Sequence, residues 1–80
     1  MTLEELDRRF RYHPPGPATV PIHEELRREF RMLAGRIFAL GDSREASLAM
    51  TALEESLMWA NAHVARNLDP ETGGARRTPG

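Results

Sequence analysis

The chain has 80 residues, a formal net charge of −1 and no cysteine, so it can form one small domain without disulfides or cysteine-based zinc sites. The near-neutral charge argues against a broad surface for duplex DNA or membrane, although a small anionic ligand needs only a few cations. The sequence has neither the apolar core of a signal peptide nor a run approaching the roughly 20 apolar residues of a membrane span, so we expect a cytoplasmic protein.

The first predicted element is a short helix that begins after Thr2 and runs to about Phe10. Thr2 and Glu5 have capping-box spacing, in which the hydroxyl accepts from the Glu5 amide and the carboxylate reaches back. Leu3, Leu6 and Phe10 share one face of this helix. An isolated helix of this length is marginal, so we expect it to dock on another surface.

A stiff connector, RYHPPGP at residues 11–17, follows the short helix. Its two adjacent prolines remove backbone donors and hold the preceding residues extended. The connector carries an aromatic ring, Tyr12, between two side chains that can be cationic, Arg11 and His13. Such a ring can stack on a nucleobase while nearby cations bind phosphate, or it can pack against a neighbouring helix and anchor the connector.

The second predicted helix opens at residues 19–21, with a proline near its first turn, and ends at the Gly41–Asp42 loop. Its apolar residues recur at threes and fours: Ile22, Leu26, Phe30, Leu33, Ile37 and Leu40. Arg27 and Arg28 lie on the opposite face. They can bind phosphate, or they can belong to a solvated face on which Arg28 pairs with Glu24. Because the loop is so short, the second and third helices should be antiparallel neighbours.

The third predicted helix is the longest, from residue 43 to residue 67, and either Asp42 or Ser43 can cap it. One stripe of apolar residues runs along it: Ala46, Met50, Leu53, Leu57, Ala60 and Val64. A second stripe, which includes Leu48 and Trp59, makes the C-terminal half apolar all round. A helix that is apolar on every side has to be buried on every side, so we expect neighbouring copies of the chain to cover it.

These patterns predict an all-α fold in which a short N-terminal helix and an antiparallel two-helix hairpin span residues 1–68. A chain of this size builds only a small core, and assembly into a helical homo-oligomer is the remaining route to stability. Residues 69–80, DPETGGARRTPG, offer only Ala75 as an apolar anchor and are predicted to form a disordered tail.

The sequence does not favour an enzyme. It has no cysteine nucleophile, no glycine-rich phosphate loop and no pair of histidines at metal-binding spacing. Glu54 and Glu55 are adjacent, so they diverge by about 100° around a helix and cannot share a proton. We therefore expect no catalytic residue, no metal and no cofactor.

Arg66 is the most informative cation, because it follows an apolar stretch and shares a helix face with Ala62 and Trp59. It can meet an anion, or it can be a favourable cation at a helix C-terminus with its stem along apolar surface. Asn61 and Asn67 lie beside apolar residues, where they can bond across an interface and fix its register. The residues alone support a small oligomeric helical hairpin with a candidate anion site.

Three stretches together resemble a known family: FRYHPP at residues 10–15, HEELR at residues 23–27 and SREASLAMTALEESLMWANAHVARN at residues 43–67. The resemblance is to the phage anti-CBASS cyclic-oligonucleotide sponges, which carry a helical hairpin domain, and it covers most of residues 2–67. Proteins of that family are homohexamers that sequester the cyclic messengers of bacterial CBASS immunity without cleaving them. The resemblance therefore implies action in the cytoplasm of an infected bacterial host.

The resemblance also implies a cyclic dinucleotide site between protomers. Tyr12 would stack on a base of the dinucleotide, with Arg11 and His13 beside it. Arg27 looks like the residue that meets the phosphates, and Arg28 is close enough to take that role instead.

A second implied site lies where three protomers meet and takes a cyclic trinucleotide. Arg66 would face its phosphates, and Asn61, Ala62 and Ala65 would line the pocket. His63 stands where the family tends to have a small residue. Two rival functions remain: a structural or regulatory helical-hairpin oligomer with no small ligand, and a phosphodiesterase-like enzyme that destroys the messenger.

Overall fold

The computed structural model describes residues 1–76, which form three helices. These are α1 (Leu3–Phe10), α2 (Val20–Ala39) and α3 (Arg44–Asn67). The all-α fold and the helical hairpin predicted from the sequence are confirmed. Within residues 1–76, β structure is limited to one isolated antiparallel bridge, between Leu68 and Ala75.

Side-chain caps fix the starts of α1 and α3. The Thr2 hydroxyl accepts a hydrogen bond from the Glu5 amide at 3.1 Å, as the capping-box pattern predicts. The Glu5 carboxylate, however, is engaged by Arg9 one turn later, with a distance of 2.7 Å between Nη2 and Oε1. At the start of α3 the cap is Ser43, whose hydroxyl accepts from the Ala46 amide at 2.9 Å.

The hairpin turns sharply after α2 because Gly41 adopts a φ of +118°, a conformation that favours glycine. Near the open end of the hairpin, His23 at the start of α2 meets Asn61 at the end of α3. Their Nδ1 and Oδ1 atoms are 2.6 Å apart, so the imidazole donates and the amide oxygen accepts. This bond joins opposite ends of the two helices, which therefore run antiparallel as predicted.

The seam between α2 and α3 is formed by the apolar stripes of the two helices. Every residue of the first α3 stripe is at least half-buried, and Val64, at 4% exposure, is the one apolar residue among residues 1–76 that is classed as buried. Leu33 on α2 and Leu40 just after it are exposed although they continue the periodic pattern. Two helices can cover only one side of each other, so the remaining apolar residues face outwards.

Large apolar side chains are therefore widespread on the surface of the single chain. Phe38 is 80% exposed and Leu40 is 87% exposed at the loop end of the hairpin, and Trp59 of the second α3 stripe is also exposed. No residue of α1 is buried, and Leu3 and Phe10 face solvent. The surface on which α1 was expected to dock is thus not supplied by α2 and α3. Across residues 1–76, each helix is too short or too polar to cross a bilayer.

The disordered tail that we predict for residues 69–80 begins just after α3, and the structure describes its first part, residues 69–76. Residues 68–76, here called the C-terminal turn, reverse the chain and return it to the end of α3. The Asp69 amide donates to the Gly74 carbonyl at 2.6 Å, and the Arg76 amide donates to the Asn67 carbonyl at 2.8 Å. Backbone hydrogen bonds, rather than apolar anchors, give this segment its order. The rest of the predicted tail, residues 77–80, lies outside the described residues.

Candidate functional site

The connector between α1 and α2, residues 11–19, is held at both ends. At its start, the His13 ring donates from Nε2 to the Arg8 carbonyl, 2.7 Å away, at the end of α1. At its end, Thr19 is 2% exposed, and its hydroxyl accepts from the Gly16 amide at 2.9 Å. The Tyr12 backbone is therefore placed by bonds on either side of it.

The Tyr12 side chain is 79% exposed. A ring that anchored the connector by packing on a neighbouring helix of its own chain would be covered, so the structure does not support that alternative. The ring is exposed enough to contact another molecule. His13, by contrast, is half-buried and has a structural bond to α1.

Tyr12 lines a cavity of about 420 Å³ between α1, the connector, the end of α3 and the C-terminal turn, here called the connector cavity. Its lining is largely charged or aromatic: Glu4, Asp7, Arg8, Arg11, Tyr12, His13, Pro14, Arg66, Pro70 and Arg76. Four arginines thus face two carboxylates, although the chain as a whole is close to neutral. Within residues 1–76 the one ion pair closer than 4 Å joins Arg9 and Glu5, so none of these four arginines is paired.

The structure brings together residues that the family resemblance assigns to two different ligands. Arg11, Tyr12 and His13 were predicted to serve a dinucleotide, and Arg66 was predicted to serve a trinucleotide. All four line the connector cavity of one chain. Arg66 comes from the last turn of α3, where its half-buried side chain follows the apolar seam.

Arg27 lies elsewhere, in a groove of about 300 Å³ between α2 and α3, here called the interhelical groove. Most of its lining is apolar: Phe30, Ala34, Met50, Leu53 and Leu57, with Arg27, Arg31, Thr51 and Glu54 at its polar positions. Arg28 is exposed and is not among the residues that line this groove. The proposed pair of Arg28 with Glu24 is not formed, since the single ion pair of residues 1–76 lies in α1.

The predicted lining residues of the trinucleotide pocket, Asn61, Ala62 and Ala65, are all half-buried on α3. Asn61 already accepts from His23, which leaves its amide NH₂ group to donate. The Ala65 carbonyl accepts from Arg76 Nη2 at 3.2 Å. Asn61 and Ala65 are therefore tied to neighbouring segments of the same chain.

His63 and Asn67, near the end of α3, form hydrogen bonds within their own helix. The Asn67 amide donates to the His63 carbonyl at 3.2 Å, and the His63 ring nitrogen Nδ1 lies 3.3 Å from the same amide nitrogen. His63 itself is exposed. Asn67 thus fastens the end of α3, where the sequence had suggested a bond across an interface.

Two residues of this region were missed from the sequence. His23 belongs to the HEELR stretch, but its bond to Asn61 spans 38 positions and has no local signal. Arg76 falls in the segment predicted to be disordered, and only the fold of the C-terminal turn brings it to the connector cavity. Among residues 1–76, no three histidine or acidic side chains are grouped closely enough to hold a metal ion.

Comparison with curated proteins and with solved structures finds no match. A family model does match: residues 2–65 fit the one described as "Acb2/Tad1, hairpin domain". The match covers all three helices except the last two residues of α3 and ends before the C-terminal turn. It agrees with the resemblance to the anti-CBASS sponges, and that prediction is confirmed. Because the match spans far more than half of the chain, this protein belongs to the Acb2/Tad1 hairpin family.

Proposed function

We propose that this protein binds cyclic di- and trinucleotide messengers and holds them without cleaving them, as a phage sponge that suppresses CBASS immunity in the cytoplasm of the infected host. The observation that carries the proposal is the family match over residues 2–65. The connector cavity supports it with chemistry that suits nucleotides.

An exposed aromatic ring beside unpaired guanidinium groups is the combination that nucleotide recognition requires. The Tyr12 ring can stack on a base, whatever the base is, because every base has a π-face. Arg66 can bind a phosphate through two parallel N–H donors. Since it has no carboxylate partner in residues 1–76, binding a phosphate breaks no ion pair among these residues. Such charge-assisted bonds contribute about 1.5–3 kcal/mol each.

The positions of Tyr12 and Arg27 favour a dinucleotide site that is shared between copies. Tyr12 lines the connector cavity, whereas Arg27 lines the interhelical groove. A ligand that touches both residues is therefore best served by Tyr12 of one protomer and Arg27 of another. A cyclic dinucleotide has approximate twofold symmetry, and a twofold interface offers the same residues to each half.

The surface of the single chain supports assembly, and we propose a homohexamer. Val64 is the one buried apolar residue among residues 1–76, while Phe38, Leu40 and Trp59 are exposed. An exposed apolar surface of this extent marks a site of protein association. In the hexamer, Arg66 from three neighbouring protomers would meet the three phosphates of a cyclic trinucleotide.

Sequestration needs no catalytic group, which separates a sponge from a messenger-degrading enzyme. Four arginines and an exposed aromatic ring, the groups that bind phosphate and base, line the connector cavity together with Glu4, Asp7 and His13. Native mass spectrometry with a mixture of cyclic di- and trinucleotides tests the proposal directly. We expect a hexamer that gains intact ligand masses in symmetric numbers and releases unchanged ligand after heat denaturation. Hydrolysis products would instead support an enzyme, and a ligand-free assembly would support a structural oligomer.

Point variants then separate the two proposed ligand sites. Tyr12→Ala should weaken dinucleotide binding and spare trinucleotide binding, and Tyr12→Phe is the matched control because it keeps the ring. Arg66→Glu should have the opposite selectivity, with Arg66→Lys as the control that keeps the charge. Calorimetric titration of both ligands into wild type and into each of the four variants gives the affinities to compare. If each substitution abolished both activities, the assignment to two sites would be wrong.

A further inference from the structure

The C-terminal turn is a folded part of the structure that lies beyond the residues matched by the family model. Inside the turn, the Asp69 carboxylate accepts from the Glu71 amide at 2.8 Å, and the Gly73 amide donates to the Asp69 carbonyl at 2.7 Å. Gly73 has a φ of +78°, which lets the chain reverse over a few residues. The geometry of the turn is thus set by its own short-range bonds.

The turn is also docked against the connector. The Pro70 carbonyl accepts from the Ala18 amide at 3.0 Å. At Gly16 the backbones approach so closely that a Cβ atom there would lie 2.4 Å from the Pro70 carbonyl oxygen. The connector and the turn can therefore pack closely because residue 16 is a glycine. This packing positions Arg76, the last residue of the turn.

Arg76 lines the connector cavity, and only some of its N–H donors have acceptors. Its Nη2 donates to the Ala65 carbonyl at 3.2 Å, and its backbone is fixed by the bond to the Asn67 carbonyl. Its Nε is shielded from solvent and has no acceptor among residues 1–76. A guanidinium has five N–H donors, and a shielded donor without an acceptor is costly, so the side chain has unused capacity for an anion.

We propose that Arg76 is a phosphate-binding residue, and that the C-terminal turn exists to hold it beside Arg66 in the connector cavity. This inference rests on the proposed function and extends it to a residue outside the family-matched region. The ligand is a phosphate of the cyclic oligonucleotide whose base lies on Tyr12 or whose backbone reaches Arg66. Arg66 and Arg76 come from α3 and from the turn, so they can contact different oxygens of one phosphate or two neighbouring phosphates.

The charge of the cavity favours this ligand class over a carboxylate of another protein. Glu4 and Asp7 already line the cavity, and they leave Arg66 and Arg76 unpaired. A phosphodiester offers two equivalent oxygens to a fork of donors, and the exposed aromatic ring in the same cavity suits its attached base. A peptide carboxylate would use the arginines and leave the ring without a role.

The alternative is that Arg76 only ties the turn to α3 through the Ala65 carbonyl. The test therefore compares Arg76→Gln and Arg76→Lys with wild type and with Arg36→Gln. Arg36 is an exposed arginine in the last turn of α2 that lines none of the cavities described above, so it is the matched control. Calorimetric titration uses cyclic di-AMP, cyclic di-GMP and cyclic tri-AMP, and thermal unfolding monitors the fold.

We expect Arg76→Gln to weaken binding of at least one of these ligands about tenfold to a hundredfold, which is the loss expected for one charge-assisted contact. Arg76→Lys should recover part of the affinity, and Arg36→Gln should leave it unchanged. In wild type, the ¹⁵Nε–¹H signal of Arg76 should move when ligand is added, because its environment gains an acceptor. A purely structural arginine would lower the melting temperature without changing this signal on titration.

The outcomes separate this inference from the function on which it rests. If wild type binds and Arg76→Gln binds equally well, or the Nε–H signal stays still at saturation, the role of Arg76 is refuted and the sponge remains. If wild type binds none of a full panel of cyclic oligonucleotides, the proposed function is refuted. Weaker binding by Arg76→Gln at an unchanged melting temperature supports the inference.

Discussion

The contact between Gly16 and Pro70 gives a prediction that can be worked out from distances. In Gly16→Ala, the new Cβ would meet the Pro70 carbonyl oxygen at 2.4 Å and the Pro70 Cβ at 2.6 Å. An ordinary contact begins near 3.4 Å, so the turn has to retreat by about 1 Å at this point. Both approaching groups belong to the Pro70 backbone and ring, which cannot rotate away as a flexible side chain would.

A displacement of this size removes the hydrogen bond from the Ala18 amide to the Pro70 carbonyl, now 3.0 Å long. Losing it and leaving a half-buried donor without an acceptor costs about 1–3 kcal/mol. Since 1.4 kcal/mol is a factor of ten, the Ala18 amide should exchange with deuterium about fivefold to 150-fold faster. Hydrogen exchange read by NMR measures this amide directly, and sedimentation of both proteins at the same concentration shows whether their assembly differs.

Gly74→Ala is the matched control, because it adds the same methyl group to the same turn. Its Cβ would meet only the Thr72 hydroxyl, at 3.6 Å, and Gly74 has no positive φ. We expect this variant to leave the Ala18 amide protected. If Gly16→Ala protected that amide as well as wild type does, the C-terminal turn would not be docked on the connector, and the placement of Arg76 would lose its basis.

Three further predictions concern stability and assembly. Thr19→Val should lower the free energy of unfolding by about 1–3 kcal/mol in denaturant titration, because the half-buried Gly16 amide loses its acceptor. His23→Ala and Asn61→Ala should be coupled by about 0.5–1.5 kcal/mol in a double-mutant cycle, as expected for one hydrogen bond between the helices. Phe38→Glu should shift sedimentation equilibrium towards smaller species, because an exposed apolar side chain that contributes about 1.5–3 kcal/mol when covered becomes a charge.

Each of these variants has its own control. Thr19→Ser keeps the hydroxyl and should remain close to wild type, so an equal loss from Ser and Val would point to packing instead of the hydrogen bond. Additive effects of the His23 and Asn61 substitutions would mean that their short contact contributes no net stability. Phe38→Glu should retain its helical circular dichroism, and unchanged assembly at the same helicity would place Phe38 outside the interface.

Much of the helical framework could be predicted because its signals are local. The apolar periodicity of residues 22–40 and 46–64 defined α2 and α3, and the positive φ of Gly41 matches the predicted turn. The choice between Asp42 and Ser43 as cap could not be made from spacing alone. Both residues have suitable side chains, and the backbone geometry decided in favour of Ser43.

The C-terminal turn could not be predicted because its order has no hydrophobic signal. Its composition resembles that of a disordered segment, yet Asp69 and Gly73 form a compact reversal, and Gly16, more than fifty positions earlier, leaves room for it. The same long-range fit determines which arginines meet in the connector cavity. Sequence patterns named Tyr12 and Arg66 separately, and only the fold shows that one cavity contains both.

Assembly of several copies would account both for the incomplete core of the single chain and for the division of the candidate site residues between two cavities. Trp59 and Phe38 remain uncovered, and Tyr12 and Arg27 line different cavities. In the proposed hexamer, one set of contacts covers the apolar side chains and brings Tyr12 of one copy towards Arg27 of another. Binding and folding would then share one equilibrium, so dilution should weaken both together, and added ligand should stabilise the assembly by mass action. In the proposed sponge, each messenger that is captured would also make the assembly that holds it harder to take apart.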